Sequence, residues 1–174
     1  AGELSVEVVY DWDDDNTLEI TMLAKGSAPT IVNLTNHAYF NLAGENSGSV
    51  LGQKLRLNAE NWLPTDRTQI PTGEVAPVEG TPMDFITPKP LGRDIDADVE
   101  ALKIGSGYDH CWVVDNWAKG KMSEVGGLYD ETSGRVMKIR STQPGVQIYT
   151  GNDLQGSPLS KSGRPYENRD GVAI

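Results

Sequence analysis

The chain has 174 residues, a length typical of one domain and long enough to bury a substantial core. Its 15 basic and 25 acidic side chains give a formal charge of −10 at pH 7, with no basic cluster to neutralise phosphates. This balance argues against nucleic acid and against an anionic membrane surface as partners, and it leaves a neutral ligand such as a sugar open.

Two alternating segments, LSVEVVY at 4–10 and LEITMLA at 18–24, lie on either side of the turn cluster DDDNT. The apolar side chains on one face are Leu4, Val6, Val8 and Tyr10 in the first segment and Leu18, Ile20, Met22 and Ala24 in the second. A period of two with a turn signal between the segments predicts a β-hairpin.

Short strands are predicted along the rest of the chain, at TIVNL (30–34), QKLRL (53–57), HCWVVD (110–115), RVMKIRST (135–142) and VQIYTG (146–151). One stretch has a helical period, because Ile95, Val99 and Leu102 recur at i, i+4 and i+7, and it predicts a short helix near 94–102. Many short strands with turn signals predict an all-β sandwich or barrel.

Residues 58–93 are poor in apolar side chains and contain six prolines. Trp62, Met83 and Phe85 are expected to anchor this stretch as ordered loops, and long loops on a β scaffold commonly carry a binding site.

The single cysteine, Cys111, cannot form an internal disulfide, and we expect it to be a small core residue rather than a nucleophile. No signal-peptide pattern or apolar run of the ~18 residues needed for a membrane span is present, so a cytoplasmic location without membrane association is expected.

The candidate site begins at the stretch NHAYFNLAG, residues 36–44. His37 can exchange a proton near neutral pH, and Asn36, Tyr39 and Asn41 suit a hydroxyl-rich ligand. The alternative is a buried polar cluster that holds the glycine loop that follows.

Two further candidates lie at strand positions. Asp109, in GYDHCWVV, can accept hydrogen bonds from two hydroxyls, or it can cap a turn. Gln147 shares a strand face with Tyr149 in PGVQIYTGN. It either forms a hydrogen bond with a sugar hydroxyl or is an ordinary solvent-facing residue. The two histidines, His37 and His110, make a weak metal site without Cys, Asp or Glu ligands at the usual spacing.

Three stretches, NHAYFNLAG, GYDHCWVV and PGVQIYTGN, resemble signatures of the aldose 1-epimerase (galactose mutarotase) family in their order and rough spacing. LPTD at 63–66 and TPMDF at 81–85 add to a similarity that runs through the whole chain. The resemblance implies a single partial mutarotase-like domain over 1–174, an antiparallel β-sandwich with a sugar site on its concave face. It implies interconversion of α and β anomers of free aldohexoses such as glucose and galactose, without a metal or organic cofactor.

The resemblance also implies roles for individual residues. His37 would be the general acid, Asp109 and Gln147 would bind the substrate, and Tyr39 and Asn36 would lie beside the sugar. From its distance after the PGVQ motif in the family, the catalytic glutamate is expected just after Ile174. Glu167 is a poor match for it.

Because family members are about twice this long, the chain resembles an internal segment that holds the acid and lacks the base. We therefore expect it to be inactive alone and to require the rest of its parent chain or another copy. A non-catalytic carbohydrate-binding or structural fragment is the alternative. A sugar-phosphate epimerase ranks last, because no cluster of basic residues accompanies the motifs.

Overall fold

Antiparallel strands make up nearly all the regular structure in residues 2–174, which are the residues that the computed structural model describes. The strands are β1 (Leu4–Trp12), β2 (Leu18–Gly26), β3 (Tyr39–Phe40), β4 (Lys54–Leu57), β5 (Asn61–Leu63), β6 (Ala76–Pro77), β7 (Lys89–Pro90), β8 (Asp109–Val113), β9 (Ser123–Tyr129), β10 (Val136–Ser141), β11 (Gly145–Tyr149) and β12 (Val172–Ala173). One short helix, α1, spans Glu100–Gly105. The predicted all-β class is confirmed.

The chain divides into two compact units, Ala1–His37 and Ala38–Ile174. A single domain over the whole chain therefore stays a prediction, and each unit is described by itself.

The first unit is the hairpin of β1 and β2, and its register confirms the predicted apolar face. Val8 pairs with Met22 and Tyr10 with Ile20, so the alternating side chains of both strands lie on one side. The turn is closed by Asp13, whose Oδ1 accepts hydrogen bonds of 2.9 Å from the backbone N–H groups of Asp15 and Thr17.

The strand predicted at 30–34 is wrong. These residues have no regular structure, and Ile31 is 96% exposed. Thr, Ile and Val favour a strand only where a neighbouring strand completes the hydrogen-bonded ladder, and no strand in residues 2–174 pairs with this segment.

The second unit contains two sheets with a common core. Their strand orders are β10-β9-β4-β7 and β3-β12-β11-β8-β5-β6. The buried side chains that fill the space between the sheets include Leu55, Leu57, Val125 and Leu128 from the first sheet and Trp62, Trp112, Val146, Ile148 and Val172 from the second. This is the predicted antiparallel sandwich, in which the alternate side chains of each strand lie on the outer faces of the sheets, away from the core.

Strand β9 was not predicted, because Gly126 and Gly127 interrupt its apolar pattern. Each glycine is required by a neighbouring strand, Gly126 by β4 and Gly127 by β10, where a Cβ would lie 2.7 Å from the carbonyl oxygen of Met137. A Cβ at Gly126 would lie 2.0 Å from the carbonyl oxygen of Arg56, so no larger residue fits between the two strands.

The predicted loop anchors Trp62, Met83 and Phe85 are all buried, as expected. The helix, however, begins at Glu100, six residues after the start of the predicted range. Residues 94–97 form a turn instead, in which Ala97 N donates to Asp94 O at 3.0 Å, and the Asp94 carboxylate is held by Lys89 at 2.7 Å. The helix ends at Gly105 and is capped by Ser106, which adopts a left-handed conformation with φ 53°.

Candidate functional site

The outer face of the six-stranded sheet carries the polar residues of two of the three motifs. In β8, His110 and Trp112 are buried between the sheets, whereas Asp109 and Cys111 face outward. In β11, Gln147 and Tyr149 share one face, as predicted; this face is outward, and Val146 and Ile148 are buried. The pairing of Tyr149 with Asp109 and of Gln147 with Cys111 places these outward side chains next to one another.

Asp109 and Gln147 form one hydrogen-bonded pair. Gln147 Nε2 donates to Asp109 Oδ1 at 2.8 Å, which orients the amide and the carboxylate relative to each other. A carboxylate has about four acceptor positions, so one such bond leaves capacity for ligand hydroxyl groups. The pair therefore presents an acceptor-rich surface of fixed geometry, which suits a polyhydroxylated ligand.

Two tyrosines adjoin this pair. Ala173 of β12 pairs with Tyr149 on one side and with Tyr39 on the other, so both rings lie on the outer face. The rings meet edge to face, with centroids 6.1 Å apart at 63°. Burial, followed by the charges of Tyr149 and Asp109, raises the pKa of Tyr39, so its hydroxyl stays protonated at neutral pH. The apolar ring faces beside the Asp109–Gln147 pair are suited to cover a sugar ring.

Asn41 has the structural role that was the alternative for the first motif. Its Nδ2 donates to Gly48 O at 2.7 Å and to Asp170 O at 3.0 Å, while its Oδ1 accepts from Gln53 Nε2 at 2.8 Å. Asn41 thus holds the glycine loop to the segment before β12, which leads back into the sheet of the site.

His37 and Asn36 belong to the first unit, whereas Tyr39, Asp109 and Gln147 belong to the second. Asn36 Nδ2 donates to the Tyr10 hydroxyl at 3.0 Å, and His37 is exposed. The structure brings together Asp109 and Gln147, for which the resemblance implies a common sugar-binding role. Convergence of His37 on the same face stays a prediction.

A family model described as aldose 1-epimerase matches residues 1–174. The chain belongs to the aldose 1-epimerase family. It is 39% identical over 173 residues to rat galactose mutarotase and 37% identical over 174 residues to the aldose 1-epimerase of Escherichia coli K12. Each alignment includes 99% of the chain. The chain spans about half the length of these curated relatives, 48% and 49% respectively.

The fold of this aldose 1-epimerase family chain agrees with solved structures. A GalM/aldose epimerase homologue from C. elegans matches 99% of the chain with a TM-score of 0.82 and 28% identity, and the chain covers 50% of it. A galactose 1-epimerase from Lactobacillus acidophilus NCFM matches 99% of the chain with a TM-score of 0.80 and 26% identity, and the chain covers 48% of it. The resemblance carried by the three motifs is thereby confirmed.

Sequence reasoning missed the polar network that supports the site of this epimerase family chain. Thr150 and Asn152 are buried, and Asn152 Nδ2 donates to Gly105 O at 2.6 Å and to Tyr108 O at 3.0 Å. The backbone N–H of Tyr108 donates to Thr150 Oγ1 at 3.2 Å. These bonds tie the end of β11 to the turn before Asp109. The sequence signal was the run of polar residues in YTGN directly after a strand.

Cys111 was predicted to be a core residue, but it is half-buried on the outer face. The side chains of β8 alternate between the two faces, and Trp112 occupies the inward position. Burial raises the pKa of its thiol, which opposes a nucleophilic role. Within residues 2–174, no group of three or more His, Cys, Asp or Glu side chains is arranged to hold a metal ion. No helix in the same range is long and apolar enough to cross a membrane.

Proposed function

We propose that the protein containing this chain is an aldose 1-epimerase that interconverts the α and β anomers of free aldohexoses such as glucose and galactose. The observation that carries the proposal is the Asp109–Gln147 pair, hydrogen-bonded at 2.8 Å on an outward sheet face beside Tyr39 and Tyr149 in a chain of this family. The relatives named galactose mutarotase and aldose 1-epimerase support the substrate class.

The reaction needs two proton transfers. A base removes the proton from the C1 hydroxyl while an acid protonates the ring oxygen, so that the bond between C1 and the ring oxygen breaks and an open-chain aldehyde forms. Rotation about the bond between C1 and C2, followed by the reverse transfers, closes the ring with the other configuration. No atom is gained or lost, and each positioned acid or base contributes about 10²–10⁴-fold to the rate.

The residues of this chain take distinct parts in that scheme. His37 is the proposed general acid, because histidine is the side chain that most commonly gives and regains a proton in acid–base catalysis. Asp109 and Gln147 bind sugar hydroxyls, and Tyr39 and Asn36 adjoin the sugar. The glutamate of the family pattern is the proposed base.

Polarimetry of freshly dissolved α-glucose tests the proposal in the intact protein. His37→Ala and His37→Gln are both expected to lower the rate of anomerisation about 10²-fold, because neither side chain can protonate the ring oxygen. His37 is exposed, so both variants should retain the circular dichroism spectrum and thermal midpoint of the unsubstituted protein.

A change of less than about threefold would remove His37 from the chemistry. An intact protein that binds glucose or galactose without accelerating anomerisation would instead be the non-catalytic carbohydrate-binding form of this fold.

A further inference from the structure

His110 connects Asp109 to the helix behind the sheet. Its side chain is 1% exposed, on the face of β8 opposite to that of Asp109. Nδ1 accepts a hydrogen bond of 3.0 Å from the backbone N–H of Asp109, and the ring also bonds the backbone carbonyl of Ala101 in α1. Since Nδ1 is an acceptor, the ring proton resides on Nε2, which is the donor to Ala101.

The imidazole is closely enclosed. Its ring meets that of Trp62 edge to face at 5.4 Å and that of Trp112 at 6.4 Å. On the helix side, a Cβ at Gly105 would lie 3.4 Å from Cε1, so the glycine allows the helix to approach the ring closely. A half-turn of the ring would put carbon atoms where Nδ1 and Nε2 lie and would lose both hydrogen bonds at once.

Asp109 needs this support because of where the sheet ends. The last residue of β5 that pairs with β8 is Leu63, opposite Cys111, so Asp109 extends beyond that ladder. The backbone N–H of Asp109 is held by the His110 ring. On the other side, β11 reaches Asp109 through the Tyr149 pairing.

We propose that His110 is a positioning residue, which through Nδ1 holds the backbone of Asp109 so that the carboxylate meets Gln147 and the ligand hydroxyls. The proposal deepens the proposed function and rests on the role given there to Asp109. His110 touches no substrate in this arrangement and acts through Asp109 alone.

The arrangement requires a neutral ring. A proton on Nδ1 would face the N–H of Asp109, and two donors repel each other. Burial lowers the pKa of His110, which outweighs the opposite effects of the Asp109 carboxylate and the Ala101 carbonyl. The charged residues of the neighbouring helix, Glu100 and Lys103, are engaged at the surface with Arg67 and Asp98.

Two substitutions separate the hydrogen bonds of the ring. His110→Asn places an amide oxygen where Nδ1 lies and can accept from Asp109, whereas His110→Gln reaches toward Ala101 and offers no acceptor near that N–H. Both remove similar packing from the core. Trp62→Phe is the matched control, since it disturbs the same packing and leaves both hydrogen bonds in place.

The first measurement needs no sugar. In the intact protein, nitrogen-15 spectra of the imidazole should show an unprotonated Nδ1 and a protonated Nε2, and the side-chain amide signals of Gln147 should report its bond to Asp109. We expect those amide signals to be retained in His110→Asn and Trp62→Phe and to shift in His110→Gln. Protonated Nδ1 at neutral pH, or equal signals in the Asn and Gln variants, would overturn the proposal.

The second measurement is the KM for glucose in the intact protein. The KM of His110→Asn should stay within about threefold of that of the unsubstituted enzyme. His110→Gln should raise KM about tenfold, which corresponds to the loss of one hydrogen bond between a sugar hydroxyl and the Asp109 carboxylate. Asp109→Asn serves as the reference. If Asp109→Asn leaves KM unchanged, the proposed function fails at Asp109 while the spectra still decide the role of His110. If Asp109→Asn raises KM and the two His110 variants behave alike, the positioning role is wrong.

Discussion

The carboxylate of Asp109 accepts a hydrogen bond of 2.8 Å from the side-chain amide of Gln147, across 38 positions of sequence. Adjacent antiparallel strands bring the two residues together, because Asp109 and Gln147 lie two residues apart along the β8–β11 ladder on the same face. A bond between two ligand-binding groups makes each one sensitive to the charge of the other.

Replacing the amide by a second carboxylate should make ligand binding depend on pH. In Gln147→Glu, two carboxylates meet, and their repulsion raises the pKa of one of them. We expect affinity for glucose to fall more than about tenfold at pH 7 and to recover partly at pH 5, where a shared proton restores the hydrogen bond. Isothermal titration calorimetry at both pH values, with Gln147→Met as the uncharged control, measures this. Equal losses at both values would contradict it.

The turn before Asp109 should not tolerate a side chain at Gly107. This residue has φ 132°, and a Cβ there would lie 2.6 Å from Arg169 Nη1 and 2.7 Å from Asn152 Oδ1. Gly107→Ala is expected to lower the free energy of unfolding by about 3 kcal/mol or more, from backbone strain and displacement of both side chains.

The control for that substitution is Gly120→Ala, at φ 75° with no atom within 4 Å of the added Cβ. Gly120→Ala introduces backbone strain without a steric clash and should lower the free energy of unfolding by about 1 kcal/mol. Urea denaturation compares the two variants. A similar loss of unfolding free energy in both variants would show that the side chains of Arg169 and Asn152 move aside at little cost.

The buried ammonium of Lys89 should be a major contributor to stability. It donates to Asp94 Oδ2 at 2.7 Å and to Pro82 O at 2.8 Å, and it lies 4.5 Å from the Phe85 ring centroid. Lys89→Met keeps the apolar stem and leaves a carboxylate and a carbonyl without their donor. We expect a loss of about 3 kcal/mol in the free energy of unfolding.

Lys54→Met is the matched control, because Lys54 forms an ion pair with Glu131 at the surface and such pairs contribute about 0–1 kcal/mol. Denaturant titrations of both variants give the comparison. Equal effects would show that the Lys89 interactions are offset by the cost of burying the charge.

Stability should decrease below neutral pH because of His110. Its pKa is lower in the folded protein than in the unfolded chain, where it is ~6.5. The unfolded state therefore binds more protons below that value, and the contribution of the neutral ring, complete above pH 6.5, is lost as pH falls toward the folded pKa. Asp66 and Asp130, whose pKa values are lowered by hydrogen bonds from Thr68 and Ser133, act in a separate window below about pH 4.

Urea denaturation at intervals between pH 7.5 and 5 should show this decrease. In His110→Asn, which has no titratable group at this position, the slope in the same interval should be smaller. An unchanged slope in the variant would assign the dependence to other groups.

Much of the fold could be predicted from local patterns. Alternation predicted the hairpin with its apolar face, and it predicted that Gln147 and Tyr149 share one strand face, because a strand has a period of two. The motifs predicted the family. Prediction from local patterns failed at residues 30–34, where strand-forming residues have no partner strand within residues 2–174. It also failed at β9, where the pattern is interrupted by glycines that the strands on either side require.

The amino-acid sequence by itself determined the all-β class, the family and the identity of the candidate residues, since each depends on residue type and short-range spacing. Only the tertiary structure decided which candidates share a surface. It paired Asp109 with Gln147, gave Asn41 a structural role and placed His110 behind Asp109 with its acceptor nitrogen on that residue's backbone. Long-range strand pairing sets these relationships, and its register follows from the packing of the whole sandwich, which no local spacing contains.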